Sequence, residues 1–322
     1  TGSDTDEHKT DSMMDFASYA FNKSHAAAYA VVAYETAYLV HYYPGEYLAA
    51  MLNSVMGNNE KVAFYIRCAE ELGIQVLPPD INESYSKFTV KKDTIRFGLA
   101  AIKNVGVNVI ESIVKVRENK GRFVSFIDFC NKIDTSEVNK RAVESIIKAG
   151  GFDTLGVYRS KLLAVYEKIM DGISGQRKKN IKGQMNLFTD FVQKEYKQVE
   201  IQYPDIKEFD KKYLLAMEKE MTGLYLSGNP LEDYEETLKK VTNVKISDIV
   251  ANESLEDNAR IDENSKIEDG THVIVGGIIT SVTKKVTKNN TMMAFIKIED
   301  MYAAIEVIIF PKILERNASY IN

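Results

Sequence analysis

The stretch LAAIKNVGVNVIESIV, residues 99–114, contains the pattern that decides how the middle of this 322-residue chain folds. Apolar residues recur at helical spacing in its second half, and Gly106 separates them from a first short helix. We expect a helix, a tight turn at Gly106 and a second helix directly after it. The glycine would let the backbone turn sharply and would let another backbone approach closely.

The second helix of such a hairpin would begin with amide groups that point outward. The first amides of a helix have no partner inside it, and the helix dipole makes this end positive. Together they form a phosphate site, as in a helix-hairpin-helix unit that holds the DNA backbone without reading its sequence. Lys103 and Asn104 lie beside Gly106 in this prediction. An ordinary glycine-capped turn between two helices fits the pattern equally well.

A second candidate hairpin follows at NKRAVESIIKAGGFD, residues 139–153. We predict a helix that ends at Gly150 and Gly151, with another helix near residues 158–166. Two hairpins in tandem would form one compact unit with two phosphate sites facing a duplex. The positive charges placed near the second site are Lys140, Arg141 and Lys148. For any one of them, a solvated helix face is an equally good interpretation.

The segment QMNLF, residues 184–188, follows a polar and basic linker. In an extended chain, Leu187 and Phe188 could fill one apolar pocket while Gln184 forms a hydrogen bond at its rim. This spacing is that of short peptides that dock on the bacterial sliding clamp. The predicted clamp-binding residues are Gln184, Met185, Leu187 and Phe188. A loop that anchors its apolar end on its own domain is the alternative.

The stretch FNKSHAAAYAVVAYETAYLVHYY, residues 21–43, is apolar nearly all round over a helical length. Such a pattern is typical of a helix buried among several neighbours. Three polar residues at its start could contact a triphosphate, or could simply cap the helix. These residues are Lys23, Ser24 and His25.

The composition limits the possible functions. The chain has 41 Lys and Arg against 46 Asp and Glu, a net charge of −5, which excludes a uniformly basic nucleic-acid coat but allows local basic patches. Two cysteines and four histidines form no zinc-binding pattern. Neither a nucleotide-binding P-loop nor a pair of carboxylates typical of a two-metal site is recognisable.

The last fifty residues are rich in β-forming residues. We predict strands at 272–282, 293–299 and 304–310, with Asn289 and Asn290 in the turn between the first two. The expected fold is therefore multidomain and mainly α, with a C-terminal all-β part that forms a partial barrel. The predicted division is an arm at 1–12, a helical segment and connector at 13–97, a hairpin domain at 98–235, a linker at 236–269 and the partial barrel at 270–322.

Several of these stretches together resemble the bacterial C-family replicative DNA polymerases. The matching stretches are FASYAFNKSHAAAYAVVAYETAYL (16–39), YPGEYLAAMLNS (43–54), LPPDIN (77–82), IRFGLAAIKNVG (95–106), VNKRAVESIIKAGGFDTLG (138–156), QMNLF, EKEMTGLYLSGNPLEDY (218–234) and MMAFIKIEDMYAAIEVIIFP (292–311). The resemblance covers nearly the whole chain after the first dozen residues. An OB-fold after the clamp motif is the order of the branch whose OB domain is C-terminal. Asn229 stands where the family has histidine in its SGHPL motif.

The resemblance implies a role for each part. Residues 13–97 would be the end of the polymerase fingers, close to the incoming nucleotide at Lys23, Ser24 and His25. The tandem hairpins would hold the primer–template duplex, and residues 184–188 would bind the clamp. The OB-fold would bind single-stranded template, with backbone contacts from Lys284, Lys285 and Lys288.

The resemblance also implies an activity for the full-length protein, of which this chain would be a C-terminal fragment. A palm ahead of residue 13 would hold Mg²⁺ for two-metal nucleotidyl transfer, whereas this chain would hold no metal or other cofactor and would be inactive alone. The implied partners are primer–template DNA, the sliding clamp, deoxynucleoside triphosphates and other replisome subunits. The implied location is the bacterial cytoplasm, at the nucleoid, with no membrane.

Two alternatives remain open from the sequence. One is a non-catalytic DNA-binding adaptor built from hairpin and OB modules. In an adaptor, the apolar helix at 21–43 would pack into a complete domain. The other is the error-prone paralogue of the same polymerase family, which shares its fold and chemistry.

Overall fold

The computed structural model describes residues 23–181, 203–253, 267, 270–301 and 303–321. The chain divides into two compact units, with the boundary between Ala101 and Ile102. No helix within the described ranges is both long enough and apolar enough to cross a membrane.

The first unit begins with three helices, α1 (Lys23–Tyr42), α2 (Pro44–Ser54) and α3 (Asn59–Glu71). Pro44 occupies the first turn of α2, where its missing amide hydrogen costs nothing. The Asn58 side chain accepts a hydrogen bond from the Lys61 amide at 3.1 Å and so caps the start of α3. Breaks between helices therefore fall where the sequence supplies a helix-starting residue.

A small sheet completes the first unit. Its strands are β1 (Gln75–Leu77), β2 (Thr89–Lys91) and β3 (Thr94–Arg96), in the order β1-β3-β2, with β1 parallel and β2 antiparallel to β3. The buried rings of Phe88 and Phe97 meet edge to face at 4.8 Å. Asn53 of α2 forms two hydrogen bonds with the Phe88 backbone, at 2.8 and 3.0 Å, and so fixes the helices to the sheet.

Helix α1 forms as predicted, but its predicted burial is wrong. Tyr29, Val31, Val32 and Tyr34 are each more than half exposed, and Tyr34 reaches 71%. Neighbouring aromatic rings instead contact each other along the helix, as Tyr38 and Tyr42 do at 4.5 Å. The apolar pattern of α1 therefore marks a surface that the described residues of the first unit leave exposed.

The second unit contains the helical domain. Its helices are α4 (Val107–Lys120), α5 (Phe126–Lys132), α6 (Lys140–Lys148), α7 (Arg159–Ile181) and α8 (Lys211–Thr222). Four fully buried phenylalanines, at positions 123, 126, 129 and 152, form its centre, with ring centroids 5.0–6.0 Å apart. This aromatic cluster joins α5 to the turn between α6 and α7.

Two helices overlap the predicted linker at 236–269. They are α9 (Glu235–Val241) and α10 (Ile246–Glu253). The buried Ile246 begins α10, and its amide donates to the Asp300 carboxylate at 2.8 Å. This part of the chain is therefore attached to the C-terminal sheet by specific contacts.

The C-terminal sheet is an open antiparallel meander of β4 (Ile278–Val286), β5 (Met292–Glu299) and β6 (Ala304–Ile309), in that order. A final short helix, α11 (Pro311–Arg316), packs on it and contributes Leu314 to the small apolar core. The turn at 287–291 lies where predicted, and Asn290 adopts the left-handed conformation with φ 56°. The mainly α fold with a C-terminal β part, consistent with a partial OB-fold, is confirmed.

Candidate nucleic-acid interface

The turn before α4 presents alternating buried and exposed residues. Ile102 and Val105 are buried, whereas Lys103, Asn104 and Gly106 are exposed. The left-handed residue is Asn104, with φ 65°, and not Gly106, whose φ is −75°. The expectation that Gly106 makes the sharp turn is therefore wrong. Asparagine can occupy the left-handed region because its short polar side chain bonds locally.

Helix α4 begins at Gly106 without a side-chain cap. The first bond within the helix runs from the Ile110 amide to the Gly106 carbonyl, at 3.2 Å. Gly106, Val107 and Asn108 are all exposed, and a Cβ atom added at Gly106 would meet nothing within 4 Å. Among the described residues, no side chain therefore fills the space beside Gly106, and the N-terminal amides of α4 can be approached from there.

Two contacts hold the turn in place. The Lys103 amide donates to the Met221 carbonyl of α8 at 2.8 Å, and the Asn104 side-chain amide donates to the Ser145 hydroxyl of α6 at 3.2 Å. Arg141 lies four residues before Ser145, on the same side of α6. Arg141 is therefore an exposed cation one helical turn before the residue of α6 that bonds to the turn.

The predicted second phosphate site, at Gly150 and Gly151, differs from the first in the use of its backbone amides. Gly150 and Gly151 are buried, and their amides donate to the carbonyls of Ile147 and Ile146 at 3.0 and 2.8 Å. This pattern is the Schellman motif that closes a helix C-terminus, and it uses both amides internally. The expectation that these glycines offer amides to phosphate is wrong. Their role in the structure is to end α6.

The start of α7 is also occupied. The Glu208 carboxylate accepts hydrogen bonds from the amides of Arg159 and Ser160 at 2.7 and 3.0 Å, and the Ser160 hydroxyl donates to the Lys207 carbonyl. Burial alone would raise the pKa of Glu208, but the bonds from the Ser160, Phe209 and Arg159 amides outweigh it and lower that pKa. A carboxylate of the chain itself thus fills the place that phosphate would take.

Arg159 joins the end of α6 to α8. Its guanidinium bonds to Asp153 at 2.6 Å, to Glu218 at 2.9 Å and to the Lys148 carbonyl at 3.2 Å. Arg159 and Glu218 are 5% and 1% exposed. Gly150 has a φ of 84°, and a Cβ atom there would lie 2.4 Å from the guanidinium, so both the backbone and the bound Arg159 favour glycine. Sequence reasoning missed Arg159, Glu208 and Glu218, because their partners lie 49 and 59 residues away along the chain.

The predicted positive charges divide into two groups. Lys140 pairs with Asp171 at 2.8 Å, and Lys148 pairs with Glu144 at 2.9 Å. Lys103 and Arg141 are exposed, and neither takes part in an ion pair with another described residue. Among these four predicted cations, Lys103 and Arg141 are therefore the two whose charge is not neutralised by an ion pair with a described carboxylate.

The remaining predicted sites lie apart from this turn. His25 is exposed on α1, 5.8 Å from the Tyr29 ring, while the side chains of Lys23 and Ser24 lie outside the described residues. The predicted clamp-binding residues, Gln184, Met185, Leu187 and Phe188, also lie outside them. The described part of the chain contains no cluster of three His, Cys, Asp or Glu residues that could hold a metal ion.

The lysines of the C-terminal part do not form one surface. The first strand, predicted at 272–282, lies at Ile278–Val286, so Lys284 and Lys285 belong to β4. Neighbouring residues of a strand point to opposite faces. Lys285 lies over the Phe295 ring at 4.7 Å, so its face combines a cation with an aromatic ring. Lys288 is exposed in the turn that follows.

Comparison with known proteins first defines the class of fold. Residues 73–162 match the family model described as a helix-hairpin-helix motif. This range contains the turn at Gly106, α6 and the beginning of α7. The prediction that the chain contains a helix-hairpin-helix motif is therefore confirmed.

The particular family follows from similarity along almost the whole chain. This chain is 41% identical over 309 residues to DNA polymerase III subunit alpha of Saccharopolyspora erythraea, and the aligned region covers 94% of this chain and 25% of that protein. It is 41% identical to the Mycobacterium tuberculosis protein over 304 residues, with 94% and 24% covered. The Vibrio cholerae protein is 33% identical over 311 residues, with 95% and 25% covered.

The resemblance to the bacterial C-family replicative polymerases is thereby confirmed, and the chain is a relative of the DNA polymerase III alpha subunit. It spans about a quarter of the length of the curated relatives that it matches.

Proposed function

We propose that this chain is part of a replicative DNA-directed DNA polymerase, the DNA polymerase III alpha subunit, and that it binds the duplex formed by primer and template. The similarity over 94% of the chain supports the polymerase assignment. The single observation that carries duplex binding is the exposed, uncapped start of α4 at Gly106.

The duplex would be held through its phosphates. Amides at the start of α4 would donate to a phosphate oxygen, assisted by the positive end of the helix dipole. Lys103 and Arg141 would add charge on either side of this site. Because none of these groups reads a base edge, binding would be independent of sequence and would weaken with salt.

The other parts would serve the same enzyme. The first unit would form the end of the fingers, near the incoming nucleotide at Lys23, Ser24 and His25. The pair of Lys285 and Phe295 offers a charge and a stacking surface for single-stranded template. Residues 184–188 would dock on the sliding clamp, and other replisome subunits would bind elsewhere on the polymerase.

The chemistry would belong to the full-length polymerase. Its palm would hold the Mg²⁺ ions, and this chain would contribute DNA contacts but no catalytic group. We therefore expect no nucleotide incorporation by the isolated chain in a primer-extension assay. The protein would act in the bacterial cytoplasm, on the chromosome.

The exposed face of α1 favours a polymerase segment over a stand-alone adaptor. An adaptor would bury an apolar helix in its own domain, whereas Tyr34 of α1 is 71% exposed. Large exposed apolar surfaces usually mark interfaces with other protein parts. The error-prone paralogue shares these features and stays an alternative.

The duplex proposal is tested by fluorescence anisotropy with labelled duplexes of unrelated sequence. We expect equal affinities for all sequences and a linear fall of the logarithm of the binding constant with the logarithm of salt concentration, by about 0.9 per phosphate contact. A marked preference for one sequence, or binding that salt does not weaken, would contradict it.

The clamp proposal has a separate test. Replacing Leu187 and Phe188 by Ala should abolish binding to the sliding clamp and leave duplex affinity unchanged. If clamp affinity is unaltered, the assignment of residues 184–188 is wrong.

A further inference from the structure

Glu218 on α8 is a buried carboxylate with several donors around it. It accepts hydrogen bonds from the Arg159 guanidinium at 2.9 Å and from the Ser227 hydroxyl at 2.7 Å. The amides of Leu226 and Ser227 add two more, at 3.0 and 2.9 Å. A carboxylate satisfied on both oxygens in a low-dielectric site is held in one position. Glu218 is therefore a fixed anchor inside the second unit.

Arg159 connects the fixed Glu218 carboxylate to α6. The same guanidinium that bonds to Glu218 also donates to the carbonyl of Lys148, the last residue of α6, at 3.2 Å. It bonds in addition to Asp153, directly beyond the Schellman turn. The C-terminal end of α6 is thus joined to α8 through one side chain.

Helix α8 also supports the turn before α4. Met221 lies three residues after Glu218, and its carbonyl accepts the Lys103 amide at 2.8 Å. Two residues of α8 therefore make two different connections. Met221 contacts the turn before α4, and Glu218 is joined to α6 through Arg159. Besides the direct bond between Asn104 and Ser145, these two contacts of α8 connect α6 to the turn at Gly106.

We propose that Glu218 is a positioning residue that keeps α6, and with it Arg141, in register with the amides at the start of α4, so that both reach the same duplex. The inference rests on the proposed function, because it requires that Arg141 and these amides bind DNA. Glu218 itself, at 1% exposure, contacts no DNA.

A double-mutant cycle tests the inference. Duplex affinity is measured for the wild type, Arg141→Gln, Glu218→Gln and the double variant. In the wild-type background, Arg141→Gln should weaken binding about tenfold, and in the Glu218→Gln background only about twofold, since Arg141 is then out of register. If Glu218→Gln only unfolds part of the protein, the apparent affinity falls by the same factor with Arg141 and with Arg141→Gln. The ratio of these two affinities then stays unchanged. Equal ratios in the two backgrounds would overturn the inference.

Two further variants keep the result interpretable. Glu220→Gln makes the same charge change at an exposed position of α8, and it should preserve the tenfold effect of Arg141→Gln. If circular dichroism shows that Glu218→Gln does not fold, Arg159→Lys takes its place. It keeps the positive charge beside Glu218 but replaces the planar guanidinium that bonds to Glu218 and to the Lys148 carbonyl together. An undiminished Arg141 effect in Arg159→Lys would also overturn the inference. Absence of duplex binding by the wild type would instead contradict the proposed function.

Discussion

The side-chain amide of Asn104 donates to the hydroxyl of Ser145 at 3.2 Å and so connects the turn before α4 to α6, 41 residues further along the chain. The same residue takes the left-handed conformation, at φ 65°. One asparagine therefore both turns the backbone and fixes the turn against its neighbour.

Replacing Asn104 tests these two roles. Asn104→Ala loses the contact and places a Cβ-bearing residue without polar compensation in the left-handed region, so we expect a loss of about 1–2 kcal/mol in the free energy of unfolding. Asn104→Gly loses only the contact and should cost less. Urea denaturation measures both variants, and equal costs would show that the backbone conformation is not what selects asparagine.

The buried pair of Arg159 and Glu218 should dominate the stability of the second unit. Arg159→Met leaves the Glu218 carboxylate buried without its cation, and we expect a loss of about 3–5 kcal/mol in the free energy of unfolding. The double variant Arg159→Met with Glu218→Gln removes the uncompensated charge and should recover part of that loss. A double variant no more stable than Arg159→Met alone would show that the charge is not the cause. Lys211→Met, in an exposed pair with Glu232, is the matched control and should change stability far less.

Glu208 predicts a specific dependence of stability on pH. Its pKa is lowered in the folded state by the amides that it caps, so its contribution is fully present above the ordinary pKa of glutamate, about 4.3. The contribution is lost as pH falls from there through the lower folded value. Below about pH 5, the unfolding free energy of the wild type should fall more steeply with decreasing pH than that of Glu208→Gln. Parallel pH profiles from thermal unfolding would contradict this role.

The positions of the helices in the hairpin domain could be predicted from the sequence, whereas the backbone amides that are free to bind phosphate could not. Apolar spacing and glycine positions located α4 and α6, because helix periodicity and helix ends are local properties. The roles of the glycines could not be read in the same way. Whether an amide is open, as at Gly106, or used internally, as at Gly151, depends on residues that fold against it.

Burial of α1 was mispredicted for a related reason. Its apolar pattern indicates a surface that gains stability when it is covered, but the pattern does not specify which part of a protein covers it. Arg159 and Glu218 also escaped prediction, since a charged residue in a helical stretch is usually exposed. Glu208 lies before α8, outside any helix, and the helix start that it caps is 48 residues earlier in the chain. Only the approach of a partner distant in sequence, such as Glu218 for Arg159, makes a buried charge possible.

Gly106→Asp tests whether open backbone amides at the start of α4 bind duplex phosphate. An aspartate there caps the helix and fills the phosphate position with its own carboxylate, at a φ of −75° and with nothing within 4 Å of its Cβ. Asn119→Asp adds the same charge at an exposed position near the other end of α4 and is the control. In anisotropy titrations with a labelled duplex, we predict a loss of affinity of at least about tenfold for Gly106→Asp, with an unchanged or raised melting temperature, and a much smaller loss for Asn119→Asp. Equal affinities for the two variants would contradict the account.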